Sequence, residues 1–191
     1  MLASRPSSRS LVGAVAALLL VVSAAAEAEL RVSDLDVFLN DFEVTVHVAL
    51  LGAIPPSFQE GLQSGIPTHV RYTVELWQFN RLWRDRLITS KVVERHLTYN
   101  VVTKEFRVSS VKGEARPAYS TRELRDAQRV LSELRGLKLV PASSLDPAEI
   151  VYVRVRAETS LNGDATMLAR MTGTAEKTER QSDYRTIQRV Q

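Results

Sequence analysis

Residues 30–50 hold a run of side chains whose character changes at every step. Phe42, Val44, Val46, Val48 and Leu50 alternate with Glu43, Thr45, His47 and Ala49, and before them Val37 and Leu39 alternate with Asp36, Phe38 and Asn40. A helix cannot gather residues two apart on one face, whereas a pleated strand does so at every second position. The stretch therefore reads as two strands with one buried face. Asn40-Asp41 is the tight turn between them, because both residues tolerate positive φ. This one pattern commits the chain to a sheet that must be covered on one side.

The same period returns further along. Val70, Tyr72, Val74 and Leu76 point one way, and Thr73, Glu75, Trp77 and Phe79 the other; Asn80-Arg81 then turns the chain. Residues 83–97 and 102–108 follow as strands separated by a turn around Tyr99-Asn100. Leu137 to Val140 reads as a short strand, and Val151, Val153, Val155 and Ala157 alternate with Tyr152, Arg154, Arg156 and Glu158. Long apolar runs in the aromatic-bearing pair suit strands flanked on both sides.

Helical signals are few. Ile54-Pro55-Pro56 breaks the first sheet, and Ser57 is placed to cap a short helix from Phe58 to Gln63 that ends near Gly65. Ser120-Thr121-Arg122-Glu123 has the form of a capping box. Leu124, Ala127, Leu131 and Leu134 fall on one helical face after it, and Gly136 sits where a C′ glycine belongs, so a helix is expected over 121–135. The expected fold is mainly β: an antiparallel β-sandwich or curved sheet of about six to eight strands, with one amphipathic helix packed across it.

The N-terminus has the features of a bacterial export signal: Arg5 and Arg9, an uncharged apolar run from Leu11 to Val22, and small residues at Ala24-Ala25-Ala26. Residues 1–26 are thus expected to be removed as a signal peptide, or to stay as a single N-terminal anchor. A single β-rich domain is expected over 27–172. Residues 173–191 form a polar C-terminal segment, an edge strand or a tail, whose apolar residues are Ala175, Tyr184, Ile187 and Val190.

The whole chain of 191 residues carries a formal charge of +3, which would admit a nucleic-acid partner. Without residues 1–26 there are 23 bases against 22 acids, so most of the basicity belongs to the export signal. The remainder is uneven, at −6 over residues 27–70 and +6 over 71–135. Nucleic acid and, after cleavage, a membrane are not expected as partners. With no cysteine in the chain, thiol catalysis and thiolate metal sites are excluded, and stability rests on the core alone.

Catalytic motifs are sparse. His47, His69 and His96 lack metal-ligand spacing, although a site assembled only in the fold, from these residues and nearby carboxylates, stays open. The chain has no Gly-x-Ser-x-Gly elbow and no glycine-rich phosphate loop. No cofactor, metal or catalytic residue is assigned. The most suggestive cluster is Trp77, Phe79, Arg81, Trp83, Arg84 and Arg86 at a hairpin tip. Aromatics interleaved with arginine can grip a partner; alternatively, Trp77 and Trp83 pack inside with the arginines lying over them. A porin-like barrel is rejected, because outward positions carry Glu43, Arg154 and Arg156.

Three stretches carry a family likeness: Phe58-x3-Leu62-x2-Gly65-Ile66-Pro67; Glu75-Leu76-Trp77 leading to Leu82-Trp83-Arg84-Asp85-Arg86; and His96-Leu97-x-Tyr99-Asn100-x2-Thr103-x2-Phe106-Arg107-Val108. With the 121–135 segment and Tyr152-Val153-Arg154-Val155-Arg156, they resemble a bacterial family known only as domain-of-unknown-function family 4390, from about Leu30 to Leu161. The resemblance implies exported proteins of Gram-negative bacteria with no established activity, and an association with envelope signalling. After Asn162 the chain is more polar than the family pattern. The expected function is a non-enzymatic binding or interaction module in the periplasm, acting on an envelope protein or cell-wall component. The alternative is a small envelope hydrolase. Mass spectrometry of the exported protein is expected to find a mature N-terminus after Ala26; an intact Met1 would leave only the anchor.

Overall fold

The structure is a computed structural model describing residues 29–163, 169, 171–183, 185 and 186. The expected export segment and Tyr184, Ile187 and Val190 lie outside these residues. The chain is mainly β. In order it forms β1 (Arg31–Asn40), β2 (Glu43–Leu51), α1 (Pro56–Gln63), β3 (Thr68–Gln78), β4 (Arg86–Asn100), β5 (Glu105–Lys112), β6 (Tyr119–Thr121), α2 (Leu124–Ser132), β7 (Glu133–Pro141), a 3-10 turn (Ala142–Ser144), β8 (Ile150–Leu161), β9 (Ala175–Gln181) and β10 (Arg185–Thr186). Strands β1-β2-β7 make one antiparallel sheet, and the other runs β10-β8-β3-β4-β5-β6 with β9 also on the outer edge of β8. The strand count exceeds the expected number through such short edge pieces as β6 and β10.

The alternating residues do as their period requires. Val44, Val46, Val48 and Leu50 of the small sheet, and Val70, Tyr72, Val74, Leu76, Val153 and Val155 of the large one, meet in a single core with Ala127 and Leu131 of α2. The turn of the first hairpin sits one residue later than expected. Asp41 and Phe42 occupy it with φ of 50° and 60°, the pair of left-handed positions a two-residue hairpin needs. Phe42, expected on the inward face, is instead 87% exposed at the tip.

Both helices begin and end differently from the sequence expectation. Pro55, not Ser57, is the N-cap of α1, and the Ser57 hydroxyl donates to the Gly173 carbonyl. The capping box at 120–123 does not form, because Ser120 is paired in β6 opposite Arg107 and Glu123 is extended. Instead the Thr121 hydroxyl accepts the Glu123 amide. Helix α2 stops at Ser132, three residues early, and the chain passes directly into β7. Leu134 is buried there as a strand residue. Gly136, at φ 70°, does not end a helix but makes a bulge: Val46 faces Leu137 while Val48 faces Leu134, so β7 has an extra residue.

Arg95 explains why α2 ends where it does. Its side chain, 1% exposed, points from β4 into the interior between Val93 and Leu97, where alternation calls for an apolar residue. One terminal nitrogen donates to the carbonyls of Val130 (2.8 Å) and Glu133 (2.7 Å), and the Tyr72 hydroxyl donates to the Leu131 carbonyl at 2.7 Å. Carbonyls left over at a helix end thus find buried donors, and the chain is free to turn into a strand. The Glu114 carboxylate neutralises Arg95 from the other side, bonding Nε and, at 2.8 Å, Nη2. Gly113 allows this approach: at φ +85° a Cβ would stand 2.0 Å from the Val92 carbonyl oxygen. Burial also holds the Tyr72 hydroxyl protonated far above its usual range, despite the nearby Arg95 charge.

Removing one partner of a buried ion pair strands the other. Glu114→Ala is therefore expected to cost about 3–5 kcal/mol in urea unfolding, and the Arg95→Met/Glu114→Ala pair to recover a large part of that loss. Equal stability of the single variant and the parent would refute this role for the Arg95–Glu114 pair, the latch of the α2–β7 junction.

Candidate functional site

The loop between β3 and β4 is held firmly at its feet. The Phe79 amide donates to the Ile150 carbonyl at 2.8 Å, and Arg86 Nε donates to Gln78 Oε1 at 2.8 Å. Asp85 links three elements: its Oδ1 accepts the Asn80 amide (3.0 Å) and its Oδ2 accepts the Tyr152 hydroxyl (2.7 Å). These two bonds, in that order, lower the Asp85 pKa below the usual carboxylate range. Asn80 then folds the apex, its Oδ1 accepting the amides of Leu82 (3.0 Å) and Trp83 (3.2 Å). An asparagine side chain can stand in for a backbone carbonyl in this way, so the apex needs no glycine.

That scaffold divides the six residues singled out from the sequence. Trp77 lies on the outer sheet face beneath the Arg154 guanidinium, 4.9 Å from the ring centre, with Nε1 donating to Glu75 at 2.9 Å. Phe79 is half-buried. Arg81, Trp83 and Arg84 are at the exposed apex, Arg86 is exposed at its foot, and Trp83 is 82% exposed rather than packed inside against Trp77. Leu82, 91% exposed, completes the apex and was missed, because period-two reasoning assigns no direction to loop residues. Arg81 and Arg84 make no ion pair among the described residues.

The rest of the outer face neutralises itself. Arg71 meets Glu94 at 3.1 Å, Lys177 meets Glu158 at 3.6 Å, and Arg156 reaches both Glu179 (3.3 Å) and Glu75 (3.9 Å). Two of the three histidines come together on this face, although no spacing signalled it. His69 of β3 stands directly opposite His96 of β4, with ring centres 5.6 Å apart. His69 borders a depression of about 100 Å³ whose carboxylates, Glu94 and Glu158, are those already engaged by Arg71 and Lys177. His47 belongs to the other sheet and packs edge-on against Phe38 at 4.7 Å. Among the described residues no three His, Asp or Glu side chains stand close enough to share a metal.

A third feature escaped sequence reasoning: a groove of about 490 Å³ over the latch, lined by Arg95, Glu114, Arg116, Arg129, Glu133 and Arg135. Its only sequence signal was a charged residue at an inward position, between Val93 and Leu97. Most of its charges are spent internally, Arg129 on Asp126 (3.3 Å) and Arg135 on Glu133 (2.6 Å), as Arg95 is on Glu114.

A family model with the description "Domain of unknown function (DUF4390)" matches residues 27–186. The chain belongs to this family. The match continues well past Leu161, where the resemblance read from the sequence stopped. Strand β9 accounts for the polar character of that region: as an edge strand it buries Ala175 while Lys177 and Glu179 join the outer charge ladder. The DUF4390 description assigns no activity. No curated protein and no solved structure matches the chain. Among the described residues no helix is long and apolar enough to cross a membrane.

Burial first, and then the neighbouring His96, lower the His69 pKa, against an opposing effect of Glu94. A histidine with a depressed folded pKa is protonated more readily in the unfolded chain. The stability that His69 contributes is therefore expected to fall as the pH drops through its unfolded value. NMR titration should place His69 below an ordinary histidine and move it upward in His96→Gln. An unchanged titration in that variant would contradict the coupling.

Proposed function

We propose that this DUF4390 protein is an exported, non-enzymatic binding module of the Gram-negative envelope. It grips an envelope protein or cell-wall component with the loop between β3 and β4. The observation that carries this reading is the exposure of Leu82 and Trp83 together on a loop whose feet are anchored by Asp85, Asn80 and Phe79. A water-facing tryptophan on a pre-formed loop loses little conformational freedom on binding, and such residues dominate interface energetics. Arg81, Arg84 and Arg86 flank it and favour an acidic partner surface. The export signal at 1–26 and the near-zero charge that remains without it support the periplasm and disfavour nucleic acid.

The hydrolase reading has one observation in its favour, the pairing of His69 with His96. Its weakness is chemical. The carboxylates that would orient either imidazole are tied to Arg71 and Lys177, and the depression is too small to bury a substrate of ordinary size.

The two readings separate in native cells by cross-linking with identification of captured partners. Trp83→Ala/Arg84→Ala is expected to abolish capture without lowering thermal stability, while His69→Ala/His96→Ala leaves capture intact. If capture survives the first pair of substitutions, the loop is not the binding surface.

A further inference from the structure

We infer that, in chains that keep residues 1–26 as their N-terminal anchor, the end of the sandwich opposite the Trp83 loop is a membrane-facing surface that rests on the lipid bilayer. The strand registers define this end. Thr68 of β3 stands between Leu97 of β4 and Leu161 of β8, and Ala175 of β9 pairs with Ser160, so the α1–β3 connection, the β4–β5 turn, the end of β8 and the start of β9 all lie there. The Leu30 amide donates to Glu176 at 2.9 Å, and Arg31 pairs with Leu51, so the N-terminal side of the domain enters at the same end. The first hairpin tip, Phe42, lies at the other end, beside the 3-10 turn where the Ala142 amide donates to the Phe42 carbonyl.

Five large apolar side chains from four separate segments are exposed at the Leu30 end: Leu51, Ile66, Val101, Val102 and Met171. Isolated exposed apolar residues are ordinary, but here five belong to segments at the end where Leu30 enters. The β4–β5 turn is the sharpest case. A solvent-facing turn favours Gly, Asn, Asp or Ser, yet here two β-branched valines follow Asn100. The Asn100 side chain builds that turn by accepting the amides of Val102 (2.9 Å) and Thr103 (3.1 Å), which leaves Val102 projecting at 85% exposure. Such a tip is suited to the boundary between headgroups and acyl chains, about 5–10 Å below the surface.

The occupant follows from the chain preceding the domain. The apolar run Leu11–Val22 ends eight residues before Leu30, so a segment retained as the anchor is joined to the domain at this end. Exposed Arg31 and Lys104 on the same side are balanced by exposed Glu29 and Glu60, so the contact with lipid is carried by the apolar side chains. Seated this way, the domain holds Leu82, Trp83 and their arginines away from the membrane, where a partner can reach them.

The absence of cysteine makes the test direct. Full-length chains carrying Val102→Cys, Ile66→Cys or Leu82→Cys are labelled with an environment-sensitive fluorophore. They are then reconstituted into vesicles of phosphatidylethanolamine and phosphatidylglycerol with brominated acyl chains. Labels at 102 and 66 are expected to shift to the blue and to be quenched by the brominated lipid, and the label at 82 to remain as in buffer. Three results overturn the proposal: no quenching at 66 and 102, which leaves a tether only; quenching at 82 alone, which reverses the orientation; or equal quenching at all three. The measurement does not depend on the binding role of the Trp83 loop, so failure of either reading is recognised separately.

Discussion

A guanidinium shut away from water governs how this fold closes. Arg95 sits in an otherwise apolar row of β4, and an unpaired charge there would be far too costly to retain. Its donors are used by the Glu114 carboxylate and by carbonyls at the end of α2. Each partner comes from a different element, so one residue brings together β4, the segment after β5, and the junction of α2 with β7. Without that junction β7 would have no reason to leave the helix and pair with β2. Buried ion pairs of this kind contribute modestly to net stability, yet losing one partner is costly because it leaves the other charge buried and unmatched.

The two ends and the outer face of the sandwich are physically distinct. The outer face of the large sheet is a lattice of opposite charges that satisfies itself, from Lys177 and Glu179 on β9 to Glu94 on β4. Such a surface offers a partner little that water does not already provide. Unmatched features are concentrated at the ends: Leu82, Trp83 and arginines at one, and Leu51, Ile66, Val101, Val102 and Met171 at the other. A protein that presented its ends rather than its sheet face would join two things along its long axis.

The candidate loop was partly legible. Aromatic and basic residues clustered at a turn drew notice to 77–86, yet their division of labour was not readable. Trp77 and Trp83 are six positions apart, and alternation continued through the turn would treat them alike. Asn80 and Asp85 interrupt the strand with side-chain-to-backbone bonds and send Trp83 outward while Trp77 stays flat on the sheet. The His69–His96 pair was invisible for another reason: sequence spacing cannot reveal neighbours created by strand register across a 15-residue strand.

Local alternation by itself determined that the chain is an antiparallel β protein and which face of β2, β3 and β8 is buried, because a period of two has one structural solution. It also located the first hairpin to within one residue. Tertiary structure decided the rest. The 121–135 segment has an amphipathic pattern and a capping-box sequence, and both favour a longer helix. Pairing of Ser120 with Arg107, and capture of the helix-end carbonyls by Arg95 and Tyr72, shorten it to nine residues and convert its last turn into a strand. Those partners lie from 13 to 59 residues away along the chain. Contacts over such distances exist only once the sheets have assembled.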